Sequence, residues 1–453
     1  MTRSLYTAVL ALVAPLFWWQ LARRARREGG NWQVLHPHRF GRRWQCHTVP
    51  APVWVHAVSL GETRAAEPLL AALLARGLPV LLTHTTATAR DAAAARFADA
   101  IRDGQLQQAW LPYDFPGATR RFLAAARPRV LLLIEREIWP NLMQSCERAG
   151  VPVVLVNARL SARSARGLAR LGVWMRPALS RLAAVLAQTA EDGGRLQALG
   201  APPAMVTGNL KFDVRLDAAE VAEGGRWRAA WGRPVAILAS TRDGEEARLL
   251  EAVLAAENAA GRDDPASATL WLVVPRHARR FDEVAALLAR VGVRWQRRSE
   301  LADPATLAPD RRWLLGDSMG EMARYYGAAD VALLGGSFED FGGQNLLEAC
   351  AAGVPVIAGP SVRNFEQAVS DAVEAGAACR VAGPEAAVAQ ARHWLAQPRE
   401  RDRRGAEARA FVAEHQGATE RTLACLTTFL SASLAGYGEV SEAKSAGPEG
   451  SPE

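Results

Sequence analysis

The chain has 453 residues, 49% of them apolar, which suits two domains with ordinary cores better than one. Its five cysteines, Cys46, Cys146, Cys350, Cys379 and Cys425, stand far apart without C-x-x-C or zinc spacing, which argues against a disulfide framework or a metal centre and for reduced thiols in a cytosolic compartment. The net charge of +7 conceals an asymmetry: up to Arg215 there are 28 basic and 13 acidic side chains, a balance of +15, which leaves −8 for the remainder.

A basic first half points to a nucleic acid, an anionic membrane surface or a phosphorylated substrate. The N-terminus favours the membrane. Residues 5–22, LYTAVLALVAPLFWWQLA, are uncharged over eighteen positions, about the shortest length that crosses a bilayer. Trp18 and Trp19 stand where an interfacial aromatic belt would lie, and Arg23, Arg24, Arg26 and Arg27 follow at once. With only Arg3 ahead of the run, the positive-inside rule places the body of the chain in the cytoplasm. The pattern predicts a spanning anchor, with a helix lying in the interface as the alternative that Pro15 and Gln20 keep open. No small-x-small cleavage site marks a signal peptide.

From residue 53 strands alternate with helices. Strands are expected at 53–58, 80–83, 109–111, 130–134, 151–156 and 184–187, with Gly, Pro or Asp at the joints and a helix over 62–75. A second series is expected at 235–239, 270–274, 313–315, 331–334 and 354–357. This alternation predicts an α/β chain of two doubly wound parallel domains meeting at a cleft. The expected divisions are an anchor and basic segment at 1–27, a first domain at 28–208, a linker at 209–233, a second domain at 234–433 and a disordered Gly-, Ser-, Pro- and Glu-rich tail at 434–453.

In open α/β sheets ligands bind at the carboxyl ends of strands. After the first strand, Ser59-Leu60-Gly61-Glu62-Thr63 places Glu62 at such an end, as a general base or as a first-turn acid complementing the helix dipole. Glu135, in Glu135-Arg136-Glu137, occupies the same edge, either holding an acceptor hydroxyl or ion-paired with Arg136. Lys211, in Gly208-Asn209-Leu210-Lys211-Phe212-Asp213, is the only lysine before residue 444, and suits either an anionic leaving group or a solvated hinge.

In the second series, Pro275 and Arg276 follow a strand, with a guanidinium suited to phosphate. Met319, Gly320 and Glu321 repeat the layout. After 331–334, Gly335-Gly336 and Gly342-Gly343 lead into a helix expected over 345–352, whose first turn carries Asn345, Leu346, Leu347 and Glu348; a glycine-rich turn at a helix start is an anion site, and Glu348 suits sugar hydroxyls. Three such loops on one edge predict a nucleotide pocket.

The membrane segment and the strings HAVSLGET, LPYDFPGA, EREIWPNL, NARLSARS, GNLKFD, PRH, GDSMGE and GGQNLLEA occur in the order found in the Kdo (3-deoxy-D-manno-octulosonic acid) transferases of lipid A assembly, which the chain resembles to about residue 430. The resemblance implies the GT-B glycosyltransferase fold, with acceptor bound by the first Rossmann-like domain and donor by the second. It implies inverting transfer of Kdo from CMP-Kdo to a tetraacylated, bisphosphorylated glucosamine disaccharide at the inner membrane, without cofactor or metal. Position by position, Glu62 is similar to the family's general base, and Glu135 and Lys211 to its transition-state stabilisers. Pro275, Arg276, Met319, Gly320, Glu321, Asn345, Leu346, Leu347 and Glu348 resemble its CMP-binding segments. Arg136 stands where the family often has Thr, a change that bears on the pairing of Glu135. Gln344 stands where His is frequent and keeps a hydrogen-bond donor there.

Three other readings compete. A GT-B transferase with a diphosphate donor asks for more basic contacts than Arg276 and a helix end supply. A nucleotide-dependent oxidoreductase asks for G-x-G-x-x-G where the chain has S-L-G-E-T. A nucleic-acid-binding protein needs aromatics interleaved with basic residues on one surface, whereas these arginines scatter along helices, so no nucleic-acid partner is expected.

Overall fold

A computed structural model of the chain describes residues 2–28, 32–43, 45–46, 51–260 and 268–431. The expected tail at 434–453 lies outside them. The chain forms two compact units, one of Met1–Asp213 with Gly417–Glu453 and one of Val214–Gln416.

Among the described residues the first unit holds seven parallel strands: β1 (Val53–His56), β2 (Val80–His84), β3 (Leu106–Trp110), β4 (Val130–Ile134), β5 (Val153–Ala158), β6 (Ala184–Ala187) and β7 (Ala204–Val206). Their order is β3-β2-β1-β4-β5-β6-β7. The strands are apolar runs because helices cover both faces of the sheet. Strand β4 shows the period of two directly. Leu131 and Leu133 enter one core with Trp54 and Phe122, while Val130, Leu132 and Ile134 enter the other with Leu69 and Leu70.

The last helix, Ala418–Ser431, sends Leu423, Leu426 and Leu430 into that second core. Burying a leucine side chain stabilises by about 1.5–3 kcal/mol, so this segment, expected in the second domain, packs with the first unit. Asp213 fixes its start, since its carboxylate accepts the Gly417 N–H at 2.7 Å and the Thr419 N–H at 2.5 Å.

The second unit repeats the plan with β8 (Val235–Thr241), β9 (Leu270–Pro275), β10 (Trp295–Arg297), β11 (Trp313–Leu315), β12 (Val331–Leu334), β13 (Val356–Ala358) and β14 (Ala378–Arg380), in the order β10-β11-β9-β8-β12-β13-β14. All its pairings are parallel. Trp271 and Trp313 stack at 5.9 Å on the neighbouring strands β9 and β11.

The stretch 209–233, expected to link the two domains, has regular structure of its own. It contains a short 3₁₀ turn, Leu210–Phe212, and the helix Ala218–Trp231. That helix lies so close to the helix Met322–Ala328 that a Cβ on Gly224 would meet the Arg324 carbonyl oxygen at 1.9 Å, and one on Gly327 would meet that of Val221 at 2.2 Å. Glycine is needed there for backbone contact. Strands β7, β10 and β14 lie beyond those expected from sequence. All three are three-residue edge strands, and an edge strand need not be a fully apolar run.

Candidate active site

Strand β1 ends at His56, and the helix Leu60–Ala75 begins four residues later with Ser59 as its N-cap. The Ser59 hydroxyl accepts the Glu62 N–H at 3.4 Å, and the Glu62 carboxylate accepts the N–H groups of Ser59 at 3.3 Å and Val58 at 2.5 Å. This capping box explains why the side chain turns back over the strand end. It does not leave an ordinary carboxylate. Burial, reinforced by the charges of Glu137 and Glu135, pushes Glu62 up to about 8 against the opposing pull of the two N–H groups. A carboxylate so tuned is a stronger base than an ordinary one and takes a proton readily once it is ionised.

Strand β4 ends at Ile134, and Glu135 turns out of it with φ +64°, a left-handed conformation that non-glycine residues rarely adopt. Its carboxylate accepts a hydrogen bond from Lys211 Nζ at 3.0 Å. The lysine is carried there by the 3₁₀ turn Leu210–Phe212. Asn209 Oδ1 caps that turn by accepting the Lys211 N–H, and Asn157 Oδ1 holds it to the sheet by accepting the Leu210 N–H, both at 3.0 Å. Arg136 is directed to the Ser164 hydroxyl at 3.2 Å, so it is Lys211 that pairs with Glu135. The neighbouring Glu137 is also raised, chiefly by burial, while its carboxylate accepts the Trp139 indole N–H at 3.1 Å.

Strands β1 and β4 are hydrogen-bonded neighbours, and the sheet order reverses between them. Glu62 and Glu135 therefore follow the two strands that flank the topological switch point, where open α/β sheets bind ligands. The three residues chosen from sequence in this unit, Glu62, Glu135 and Lys211, come together. Two contributors were not singled out, Glu137 and Asn157. Asn157 sits at a bulge of β5 with φ +54°, a position that asparagine tolerates better than most residues. An asparagine at the end of an apolar strand was the available signal.

In the second unit the reversal falls between β8 and β12. Pro275 closes β9 beside Thr241 of β8, and the Arg276 N–H is held by the Thr241 carbonyl at 3.0 Å. Burial and the adjacent Arg242, Arg276 and Arg279 hold His277 below the usual imidazole range, the signature of a cationic patch at this edge. Arg242 was missed by the sequence reading, although it follows β8 as Arg276 follows β9. It stacks over Phe341 at 4.5 Å. Glu321 is bound by Arg298 at 2.8 Å and by the Ser318 hydroxyl, with Gly320 at φ +84° before it and Met319 exposed.

The glycine loop after β12 differs from its expected form. The helix runs only from Leu347 to Ala352, so Gly342-Gly343 does not open it. The loop N–H groups bond within the protein: Gly343 to the Gly336 carbonyl at 2.6 Å, Gln344 to the Gly335 carbonyl at 3.0 Å and Gly342 to the Ser361 hydroxyl at 3.0 Å. These three donors are thus not an open anion cradle. The buried Glu245 carboxylate holds the other side of the loop, accepting N–H groups of Gly336 at 2.7 Å, Phe338 at 2.9 Å and Arg242 at 2.8 Å. Asn345 joins the loop to the helix, its amide donating to Glu348 at 3.2 Å and its oxygen accepting the Leu347 N–H at 3.1 Å. A cavity of about 460 Å³ opens beyond it, beside Phe338, Ser361, Arg363 and Arg380, and none of the expected donor residues lines it.

The family model of 3-deoxy-D-manno-octulosonic-acid transferase matches residues 36–214, and that of group 1 glycosyl transferases matches residues 282–411. The 3-deoxy-D-manno-octulosonic acid transferase of Bordetella pertussis is 54% identical over 433 residues, covering 95% of this chain and all of that one. The transferase of the same name from Haemophilus influenzae is 33% identical over 390 residues, covering 84% and 88%. A solved glycosyltransferase from Rickettsia africae, 12% identical, shares the fold with a TM-score of 0.53, covering 85% of this chain and all of that one.

Proposed function

We infer the mechanism from one premise: the chain belongs to the 3-deoxy-D-manno-octulosonic acid (Kdo) transferase family. It is a glycosyltransferase of GT-B fold that moves Kdo from CMP-Kdo in lipopolysaccharide assembly, and it carries one apolar N-terminal helix as a membrane anchor. The finer reading is ours. The acceptor is the tetraacylated, bisphosphorylated disaccharide precursor of lipid A. The basic first unit receives its phosphates and faces the anionic cytoplasmic leaflet of the inner membrane.

The observation that carries the assignment of roles is the Glu62 carboxylate, held near pH 8 at the switch point of the first sheet. Glu62 takes the proton of the acceptor hydroxyl as its oxygen attacks the anomeric carbon of Kdo. That carbon's bond to the phosphate oxygen breaks in the same displacement, with inversion, and CMP departs carrying the electron pair. Glu135 and Lys211 act as a fixed ion pair that stabilises charge developing in the transition state. In the second unit, Pro275–Arg276, Met319–Glu321 and Asn345–Glu348 bind the CMP moiety, with Arg276 balancing the phosphate.

The test is transfer from CMP-Kdo to the tetraacyl disaccharide bisphosphate by detergent-solubilised protein, read by mass spectrometry of the lipid. A mass gain of one or more Kdo units is expected, and Glu62→Gln should abolish it while CMP still binds. Full activity in Glu62→Gln would overturn the base assignment. An intact donor with no lipid product from the unaltered protein would overturn the acceptor assignment.

A further inference from the structure

The N-terminal helix, Thr2–Glu28, is uncharged from Ser4 to Ala22 yet is not free of the first unit. Tyr6, Leu10, Ala14, Trp18 and Leu21 are covered at intervals of three or four residues, the spacing of one helix face. The attachments are specific at both ends. The Tyr6 hydroxyl donates to the buried Asp114 carboxylate at 3.0 Å, and Thr7 exchanges a hydrogen bond with the fully buried Asn141. Trp18 packs between Phe40 and Tyr113 at 5.6 and 5.5 Å, and Leu21 is buried with Trp32 and Trp110. From Tyr6 to Leu21 the docked face runs about 22 Å at 1.5 Å per residue, most of the ~30 Å hydrocarbon thickness of a bilayer.

A helix held along its side in this way cannot cross a bilayer alone. The helices it packs on, Pro140–Arg148 and Gly172–Leu179, carry the exposed charges of Glu147, Arg148 and Arg176, which crossing would draw towards hydrocarbon at a cost of several kcal/mol each. Its other face is apolar and open: Leu12 is 82% exposed, and Leu5, Leu16 and Trp19 are each 57% exposed. Leu171 and Val173 continue that surface beside Trp174, which meets Tyr6 at 5.9 Å. Basic groups border it. Arg23 lies over Trp19, and the helix Ala162–Arg170, which buries no residue, exposes Arg163, Arg166 and Arg170.

We propose that this helix does not span the membrane but lies in the plane of one leaflet, and that it forms with residues 162–173 a single monotopic face for an anionic phospholipid surface. The apolar side chains enter the acyl boundary and the arginines remain among the headgroups. The inference rests on the membrane-bound reading above.

The two are separated by labelling the full chain in inverted and right-side-out membrane vesicles. The parent carries Cys46, Cys379 and Cys425 replaced by serine, so that only the buried Cys146 and Cys350 remain. Ser4→Cys should react with an impermeant maleimide from the same side as the exposed body marker Arg399→Cys. Reaction from opposite sides overturns the in-plane helix but leaves the protein membrane-bound. Recovery of the unaltered protein in the soluble fraction overturns the membrane reading itself.

A probe on Leu12→Cys should be quenched by spin-labelled lipid. Protection from quenching together with cross-linking of two copies through that cysteine assigns the face to a second copy and overturns the lipid assignment. Reversing Arg163, Arg166 and Arg170 to Glu should lower partition into phosphatidylglycerol vesicles about tenfold or more, with the circular dichroism spectrum unchanged; unaltered partition overturns the basic border.

Discussion

Lys211 Nζ lies 3.0 Å from Glu135 Oε1, although 76 residues separate them in sequence, and each is held in place by its own backbone device. Glu135 is set by a left-handed φ at the end of β4, and Lys211 by a turn pinned through Asn157. Both side chains are largely covered, at 15% and 21% exposure. Removing one partner strands the other charge at the sheet edge. We therefore expect Lys211→Met and Glu135→Gln each to lower kcat by about 10²-fold or more, and the double variant to lose much less than the product of the two. The measurement is a double-mutant cycle on kcat; strict additivity would show that the pair does not act as a unit.

Glu62 predicts a pH profile. A base held at about 8 is mostly protonated at pH 7, so kcat/KM should rise with pH and level off above that value. Glu137→Gln removes a like charge that raises Glu62, and the inflection should move to lower pH. An unchanged inflection in that variant would show that Glu62 is not the group titrating.

The same shift has a stability consequence of defined sign. The folded-state value of Glu62 lies above the unfolded one, so the group favours the folded state fully below the unfolded carboxylate range. That contribution is lost as pH rises through about 8. Glu62→Gln keeps a residue able to complete the capping box and cannot ionise. It should raise the thermal midpoint relative to the unaltered protein at pH 9 more than at pH 5. Equal effects at the two pH values would contradict the raised carboxylate.

Glu245 ties the second unit's glycine loop to the end of β8 by accepting the N–H groups of Gly336 and Phe338 from the loop and of Arg242 after the strand. Hydrogen bonds to a charged acceptor contribute about 1.5–3 kcal/mol each. Glu245→Ala should weaken CMP binding by about tenfold to a hundredfold and expose the loop to proteolysis. Calorimetric titration with CMP reads the first effect, and unchanged affinity would place the loop outside the donor site.

Asp213 belongs to the same L-K-F-D string as Lys211 but caps the helix Ala418–Ser431. Loss of a helix cap costs about 1–2 kcal/mol, or about 2–8 °C in a unit of this size. Asp213→Ala should lower the thermal midpoint by that amount, and Asp213→Asn, which keeps one acceptor, by less. An unaltered midpoint in Asp213→Ala would remove the capping role.

Much of the architecture was legible because it depends on local pattern. The apolar runs at Val130–Ile134, Ala184–Ala187, Trp313–Leu315 and Val331–Leu334 are strands with the expected limits. A run buried on both faces of a parallel sheet announces itself by composition. The edge strands β7, β10 and β14 did not, since each is only three residues long and two of them, Trp295–Arg297 and Ala378–Arg380, mix polar with apolar side chains. Glu62 and Glu135 could be placed at strand ends from the chain alone, because a strand followed by a turn fixes where the next residues lie.

The long-range relations could not be read that way. That β1 and β4 are neighbours, with the first sheet reversing between them, depends on the order of strands and not on any one of them. That order turns two separate acidic motifs into neighbours and adds the charges of Glu137 and Glu135 to the burial that raises Glu62. The helix Ala418–Ser431 joins the first unit through Asp213 and its buried leucines, so a boundary drawn along the chain misses it. The N-terminal helix makes the same point most sharply. Its composition determined that it meets lipid, because eighteen uncharged residues favour an apolar medium. Which of its faces is free was decided only by tertiary packing, through a hydroxyl on Asp114, an amide on Thr7 and an aromatic cluster around Trp18.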